Sequence, residues 1–271
     1  GMRVVHGEYS PIRYPGLYKD LGYQYVRGVA EWSNDSTMNE KKDLWLIYSV
    51  NKEDIWISRI PLPVPTGPAG YPDDNFQEAL PGFVISGWNL YSPKWAPVTL
   101  VNEPGHPKNR CMELRDGDPV DHAQASRLFP PAKSAEIKFR MLPSQTTGYL
   151  EAEVADTAGH PLFRLVFDSK GSILAGKKDG EKEIGTYQEG KWLDVKIQAD
   201  IQPGSYTLVL NGKKITLAAF ADSNPAPAGR LTFRTGKRYR ITDLVEMSPG
   251  SDKKASKPDV FLLDEIRVTP K

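Results

Sequence analysis

The chain has 271 residues, 39% of them hydrophobic and 25% charged, which is enough apolar side chain for a core of ordinary size. Its 35 basic and 34 acidic residues leave a formal net charge of +1, excluding the basic footprint of a nucleic-acid binder and any acidic tail. No apolar run reaches the roughly 18 residues of a membrane-spanning helix, and a single cysteine, Cys111, excludes an intrachain disulfide or a Cys-x-x-Cys metal site.

The length suggests one full domain plus a smaller piece. The opening "GMRVVHGEYS" lacks the apolar segment of a signal peptide. Gly1 ahead of Met2 reads as a residue left by tag removal, so a natural leader and further N-terminal sequence are expected to precede it. Strands are then predicted over 22–31, 43–50 and 54–60, the last two as a hairpin in which "DLWLIYSV" and "IWISRIPL" flank the charged turn "NKED". The stretch 61–82, with six prolines and little periodicity, reads as a linker or long surface loop.

Beyond it, strands are predicted near 83–88, 97–101, 110–115, 123–129, 135–142, 148–155, 161–167, 191–199, 205–210, 213–220, 230–234 and 260–268. Ile137 and Phe139 alternate with Lys138 and Arg140, and Leu193, Val195 and Ile197 alternate with Asp194, Lys196 and Gln198. That is the pattern of antiparallel strands with one buried face. Asn211-Gly212 between two alternating runs predicts a hairpin with a type I′ turn, since both residues tolerate positive φ. One or two helical turns fit only "DPVDHAQAS" or "PPAKSA", so the chain reads as an all-β sandwich or barrel.

The run "GYQYVRGVAEW…DLWLIYSVNKEDIWISRIPLPV" resembles the final blade of bacterial BNR/sialidase-like β-propeller proteins of polysaccharide-degrading systems. The remainder of the chain, from "SGWNLYSPKWAPV" through "GYLEAEVADTAGHPLFRLVFDSKG" to "VFLLDEIRV", resembles a concanavalin A-like (laminin-G-like) jelly roll. The resemblance implies an all-β concanavalin A-like β-sandwich over 83–271, preceded by a short β-hairpin segment over 1–60 that corresponds to one propeller blade and by the linker at 61–82. A propeller needs at least four blades to close, so the propeller's own active site is not expected in this chain. The expected partners are a glycan or polysaccharide and the missing N-terminal propeller of a parent protein, in a secreted, periplasmic or cell-surface setting.

Within the sandwich, Glu151 and Glu153 alternate with Leu150, Ala152 and Val154, so both carboxylates project away from the core, about 7 Å apart. Close-paired carboxylates are what retaining glycoside hydrolysis requires, and laminarinase-like glycosidases of this fold carry an acidic strand of similar spelling. The alternative is an ordinary solvated face. Asp116, Asp118 and Asp121, with His122, crowd one turn, as ligands for calcium or as caps of backbone N–H groups. Asp264 and Glu265 in the last strand read as structural acids, and Cys111 as a buried residue. Trp88, Tyr91, Trp95, Tyr187 and Trp192 are candidate glycan contacts, because a flat aromatic face can cover the C–H face of a sugar; their alternative is core filling. No Ser-His-Asp order, HExxH, P-loop or GxGxxG is present, and four scattered histidines make no zinc cluster. The expected function is a non-catalytic carbohydrate-binding or structural accessory module, the alternative a glycoside hydrolase working through Glu151 and Glu153.

Overall fold

The computed structural model describes residues 12–14, 19, 21–30, 43–61, 67–68, 70–79, 85–119, 121–176, 180–201, 205–217, 226–236, 238 and 257–271. The chain divides into two compact units, Gly1–Gly67 with Arg238–Lys254, and Pro68–Lys237 with Ala255–Lys271.

In the first unit, β1 (Tyr23–Ala30), β2 (Asp43–Val50) and β3 (Asp54–Pro61) form an antiparallel sheet in that order, and the "NKED" segment makes the turn between β2 and β3. Asn51 and Lys52 take the left-handed conformation there, with φ of 55° and 56°, a region that Asn tolerates better than most residues. Asn51 is buried and clamps the start of β1: its N–H donates to the Gly22 carbonyl (2.9 Å), while its Oδ1 accepts from the Gly22 N–H (2.8 Å). Glu53 accepts from the N–H groups of Arg13 and Tyr14, the latter at 2.7 Å.

The second unit begins with β4 (Asp73–Asp74), β5 (Asn89–Tyr91), β6 (Val98–Glu103), β7 (His106–Asp116), β8 (Gln124–Ala132) and β9 (Ser134–Pro143). It continues with β10 (Leu150–Asp156), β11 (Pro161–Phe167), β12 (Ser172–Gly176), β13 (Lys182–Thr186), β14 (Leu193–Asp200) and β15 (Ser205–Leu210). β16 (Lys213–Leu217), β17 (Ala228–Thr235) and β18 (Asp259–Pro270) complete it. One sheet has seven strands ordered β13-β12-β11-β10-β17-β8-β5; the other has eight, β16-β15-β14-β9-β18-β7-β6 with β4 added beside β18. All pairings are antiparallel, and the inward side chains meet between the sheets: Phe139 of β9 lies edge-on to Phe233 of β17 at 5.0 Å, and Phe163 of β11 stacks on Tyr206 of β15 at 4.7 Å. This is the concanavalin A-like β-sandwich that the resemblance implied.

Three sequence expectations change. No helix forms in 118–126 or 130–135 among the described residues. β8 and β9 occupy that ground, because Ala125, Phe129 and Ala132 meet the core from an extended backbone. Residues 85–88, expected to end a strand, make a turn closed by Trp88 N–H to the Ile85 carbonyl (3.1 Å), and the strand starts at Asn89. Within 61–82, Asp73 and Asp74 pair with β18, and Phe76 is buried in the sandwich core.

β18 is interrupted by a bulge. Glu265 adopts φ 51°, and the register with β9 shifts between Asp264 and Arg267. Before this bulge β18 pairs with β7, and beyond it with β4. The Asp264 carboxylate caps the irregularity by accepting from the Glu265 N–H at 2.8 Å.

Candidate functional site

The outer face of the seven-stranded sheet carries Glu151 and Glu153. Glu151 lies opposite Arg234 of β17, and Glu153 opposite Arg164 of β11 and Thr232 of β17. Their strand phase is the expected one, but the solvated face is not: Glu151 is 1% exposed and Glu153 4%, and Arg164, Thr232 and Arg234 beside them are buried as well. Burial is sustained by pairing. Arg164 reaches Glu153 Oε2 at 2.8 Å and Glu151 Oε1 at 3.5 Å, Arg230 approaches Glu153 at 3.8 Å, and Tyr149 donates to Glu151 at 3.2 Å. One guanidinium shared by two carboxylates is a buried ion cluster.

Asp116, Asp118 and Asp121 come together as the sequence implied, and all three are buried. Each caps the turn. Asp116 accepts from the Asp118 N–H (3.0 Å), Asp118 from the Asp121 N–H (3.0 Å), and Asp121 from the His122 N–H (2.9 Å) and the Tyr91 hydroxyl (3.1 Å). Burial pushes the Asp116 carboxyl up to about 7, against the opposing effect of its hydrogen bonds from Thr235 and Asp118. Among the described residues, no group of three or more His, Cys, Asp or Glu is placed to hold a metal ion.

The aromatic candidates divide by burial. Trp88 packs at 6.0 Å from Phe233 and donates its indole N–H to Asp74 (3.1 Å). Tyr91 stacks on His122, and Tyr187 donates to the Asp168 carbonyl at 2.7 Å while lying edge-on to Phe167. These three are buried. Trp95 and Trp192 are half-buried, Trp95 with Lys94 Nζ 4.4 Å from its ring.

Trp192 sits on the outer face of the eight-stranded sheet amid polar groups that sequence reasoning did not connect. Its indole N–H donates to Glu103 (2.7 Å), and the Arg140 guanidinium lies 4.4 Å over its ring while ion-pairing with Asp194 at 3.3 Å. Asn109 bridges the Glu103 and Asp264 carboxylates at 2.8 and 3.0 Å. Under Trp192 lies a small apolar cluster of Cys111, Leu142, Val260 and Leu262, separate from the main core. Burial and the nearby Asp264 push the Cys111 thiol up to about 12, so it is an inert packing group. Only the cross-strand pair Arg140–Asp194, both outward in their alternating strands, was visible as a signal. Glu103 lies 89 residues from Trp192 in sequence.

Residues 88–247 match the family described as "Sialidase-like, CBM domain", and the chain belongs to that family. A solved structure described as "Sialidase" is similar over 98% of this chain, with 28% identity and a TM-score of 0.82. The chain spans 24% of that structure's length. More distant likenesses include "Cellulose induced protein, Cip1" (13% identity, 73% of this chain and 96% of that one, TM-score 0.48). A Bacillus licheniformis beta-glucanase is comparable (13% identity, 76% and 100%, TM-score 0.48). No curated protein matches the sequence.

Proposed function

We propose that the sandwich is a non-catalytic carbohydrate-binding module of a larger sialidase-like protein acting on extracellular, periplasmic or cell-surface glycan. The observation that carries the reading is the family match over residues 88–247, on a β-sandwich in which Arg164 occupies both carboxylates of Glu151 and Glu153. Trp192 is the sugar-contacting residue in this reading. Its ring is half-buried beneath the Arg140 guanidinium, and Glu103, Asn109, Arg140 and Asp194 around it offer partners for sugar hydroxyls. The three-stranded sheet β1–β3 is read as one blade of a β-propeller that belongs to the same larger protein.

The test is a glycan array run beside a reducing-sugar assay on the wild-type chain, Trp192→Ala and the double variant Glu151→Gln/Glu153→Gln. The reading expects binding without sugar release, weakened by Trp192→Ala and kept by the double variant. Sugar release that disappears in the double variant would make the sandwich a glycoside hydrolase.

A further inference from the structure

The outer face of the eight-stranded sheet carries a row of cations set by strand register. Lys196 of β14 lies directly opposite Lys138 of β9, and Lys138 lies opposite Arg267 of β18 on its other side. On the far side of β14, Val209 of β15 separates Lys196 from Lys214 of β16. All four cations share the outer face, because Ile137, Val195, Ile266 and Val268 next to them in sequence belong to the core and Ile215 packs against it. Like charges directly opposite across a strand pair are unfavourable, and one carboxylate offsets the cost. Glu136 draws in the ammonium groups of Lys138 (2.6 Å), Lys196 (2.9 Å) and Lys271 (3.2 Å). Hydrogen bonds from Lys138 and Lys196 hold its carboxyl far below the usual carboxylate range. Three positive charges therefore share one negative charge, on side chains 46%, 36% and 47% exposed. Nearby acids are matched or set apart: Asp194 pairs with Arg140, Asp73 with Arg267, and Asp200 ends β14.

We propose that this face binds an acidic glycan, a chain of sugars bearing carboxylate or sulfate groups, laid across the strands along the Lys214–Lys196–Lys138–Arg267 row. This rests on the reading of the sandwich as a carbohydrate-binding module and names the chemical class of its ligand. The shape of the row selects a chain over a small anion. It crosses the four steps from β16 to β18, roughly 19 Å at about 4.8 Å a step, with Lys214 and Arg267 at its ends. Lysine suits such a ligand, because a flexible stem with three rotatable donors follows charge along a chain, and the Arg267 fork can take a carboxylate or sulfate bidentately. The Arg267–Asp73 pair is well exposed on both sides, so it is weak enough to exchange for a ligand. Trp192 stands on the same face, four residues before Lys196 and about 13 Å from it, with Arg140 and Asp194 on the ground between. The sugar site and the charged row are one continuous surface.

Calorimetric titration of the 271-residue chain with polygalacturonate, dextran sulfate, neutral dextran and polyglutamate tests the proposal. The expected result is that polygalacturonate or dextran sulfate binds about tenfold more tightly than neutral dextran or polyglutamate. That affinity should fall roughly tenfold between about 50 and about 200 mM salt, as counter-ions released on binding compete back. The stronger of the two acidic glycans identifies the group recognised. Lys138→Gln/Lys196→Gln should lose about tenfold in that affinity at an unchanged melting temperature, and Lys138→Arg/Lys196→Arg should keep it. Lys170→Gln/Lys182→Gln, which removes two exposed lysines outside this face, should bind as the wild type does. An equal loss in that control would overturn the proposal, assigning the binding to overall charge. Polyglutamate bound as tightly as the acidic glycans would also overturn it, in favour of an acidic peptide. Binding to neutral glycans alone overturns it and leaves the carbohydrate-binding module standing, whereas no binding to any glycan, neutral or acidic, defeats that reading as well.

Discussion

Arg164 of β11 holds Glu153 of the neighbouring β10 through a 2.8 Å ion pair, and the same guanidinium lies 3.5 Å from Glu151. All three side chains are nearly removed from solvent. A buried ion pair adds little net stability when whole, because each charge has lost its hydration, yet breaking it strands a charge. Arg164→Ala should therefore destabilise the sandwich by about 3–5 kcal/mol at neutral pH. Urea unfolding followed by tryptophan fluorescence reads this directly. A loss below about 1 kcal/mol, the range of an exposed pair, would mean that water reaches the cluster.

Asp116 gives the protein a pH dependence of unusual sign for a carboxylate. Its pKa rises from an ordinary 3.8 to about 7 in the folded protein, chiefly by burial. Between those two values the native state holds a proton that the unfolded chain has released. Stability contributed by Asp116 is therefore complete at low pH, falls as pH rises from about 4 to about 7, and is gone above it. At about 1.4 kcal/mol per pKa unit, the contribution is on the order of 4 kcal/mol. Asp116→Asn should flatten this slope, and subtracting the unfolding free energies of variant and wild type from about pH 4.5 to about pH 8 isolates it. An unchanged slope would place the titration elsewhere.

The alternating strands were plain in the sequence, and so was the phase of each. Leu193, Val195 and Ile197 point inward as their spacing required, and Asn211-Gly212 makes its turn with φ of 45° and 78°. Burial of an outward residue was not legible, because it is decided by partners from other strands. Glu151 meets Arg234 and Glu153 meets Arg164 only once β17 and β11 flank β10. The Trp192 surroundings were hidden for the same reason, assembled from β6, β7, β9 and β18. β12 and β13 were missed because "SILAG" and "KEIGT" are short, with glycine where a longer strand would carry a branched side chain.

The aspartate turn is capped from within by its own backbone. Each carboxylate already accepts a backbone N–H, with Asp121 taking the Tyr91 hydroxyl as well. Thermal unfolding in excess EDTA and in added calcium should coincide. A rise in melting temperature that scales with calcium would show an ion bound by the native state alone.

Gly236 is fixed by both its backbone and its neighbours. Its φ is 69°, and a Cβ there would meet the Asp121 carbonyl oxygen at 2.9 Å and the Asp116 carboxylate at 3.2 Å. Gly236→Ala should cost about 2 kcal/mol through left-handed strain and the clash with main chain, which cannot swing aside. Gly212→Ala is the control: its φ is 78°, but a Cβ would meet open space, so only the conformational part, about 1 kcal/mol, should appear. Equal losses would mean that the aspartate turn yields to the added methyl.

The place of β18 sets an order on the birth of the molecule. Among the described residues, the ladder β16-β15-β14-β9 and the hairpin β7-β6 are joined into one sheet only by β18, which lies between β9 and β7. On the ribosome both pieces are made long before residues 259–270 emerge, and each must wait with a bare edge, β9 on one and β7 on the other. Unpaired edges of this length are where nascent chains find wrong partners. The most dangerous interval in making this sheet is therefore the one between the emergence of β9 and that of β18.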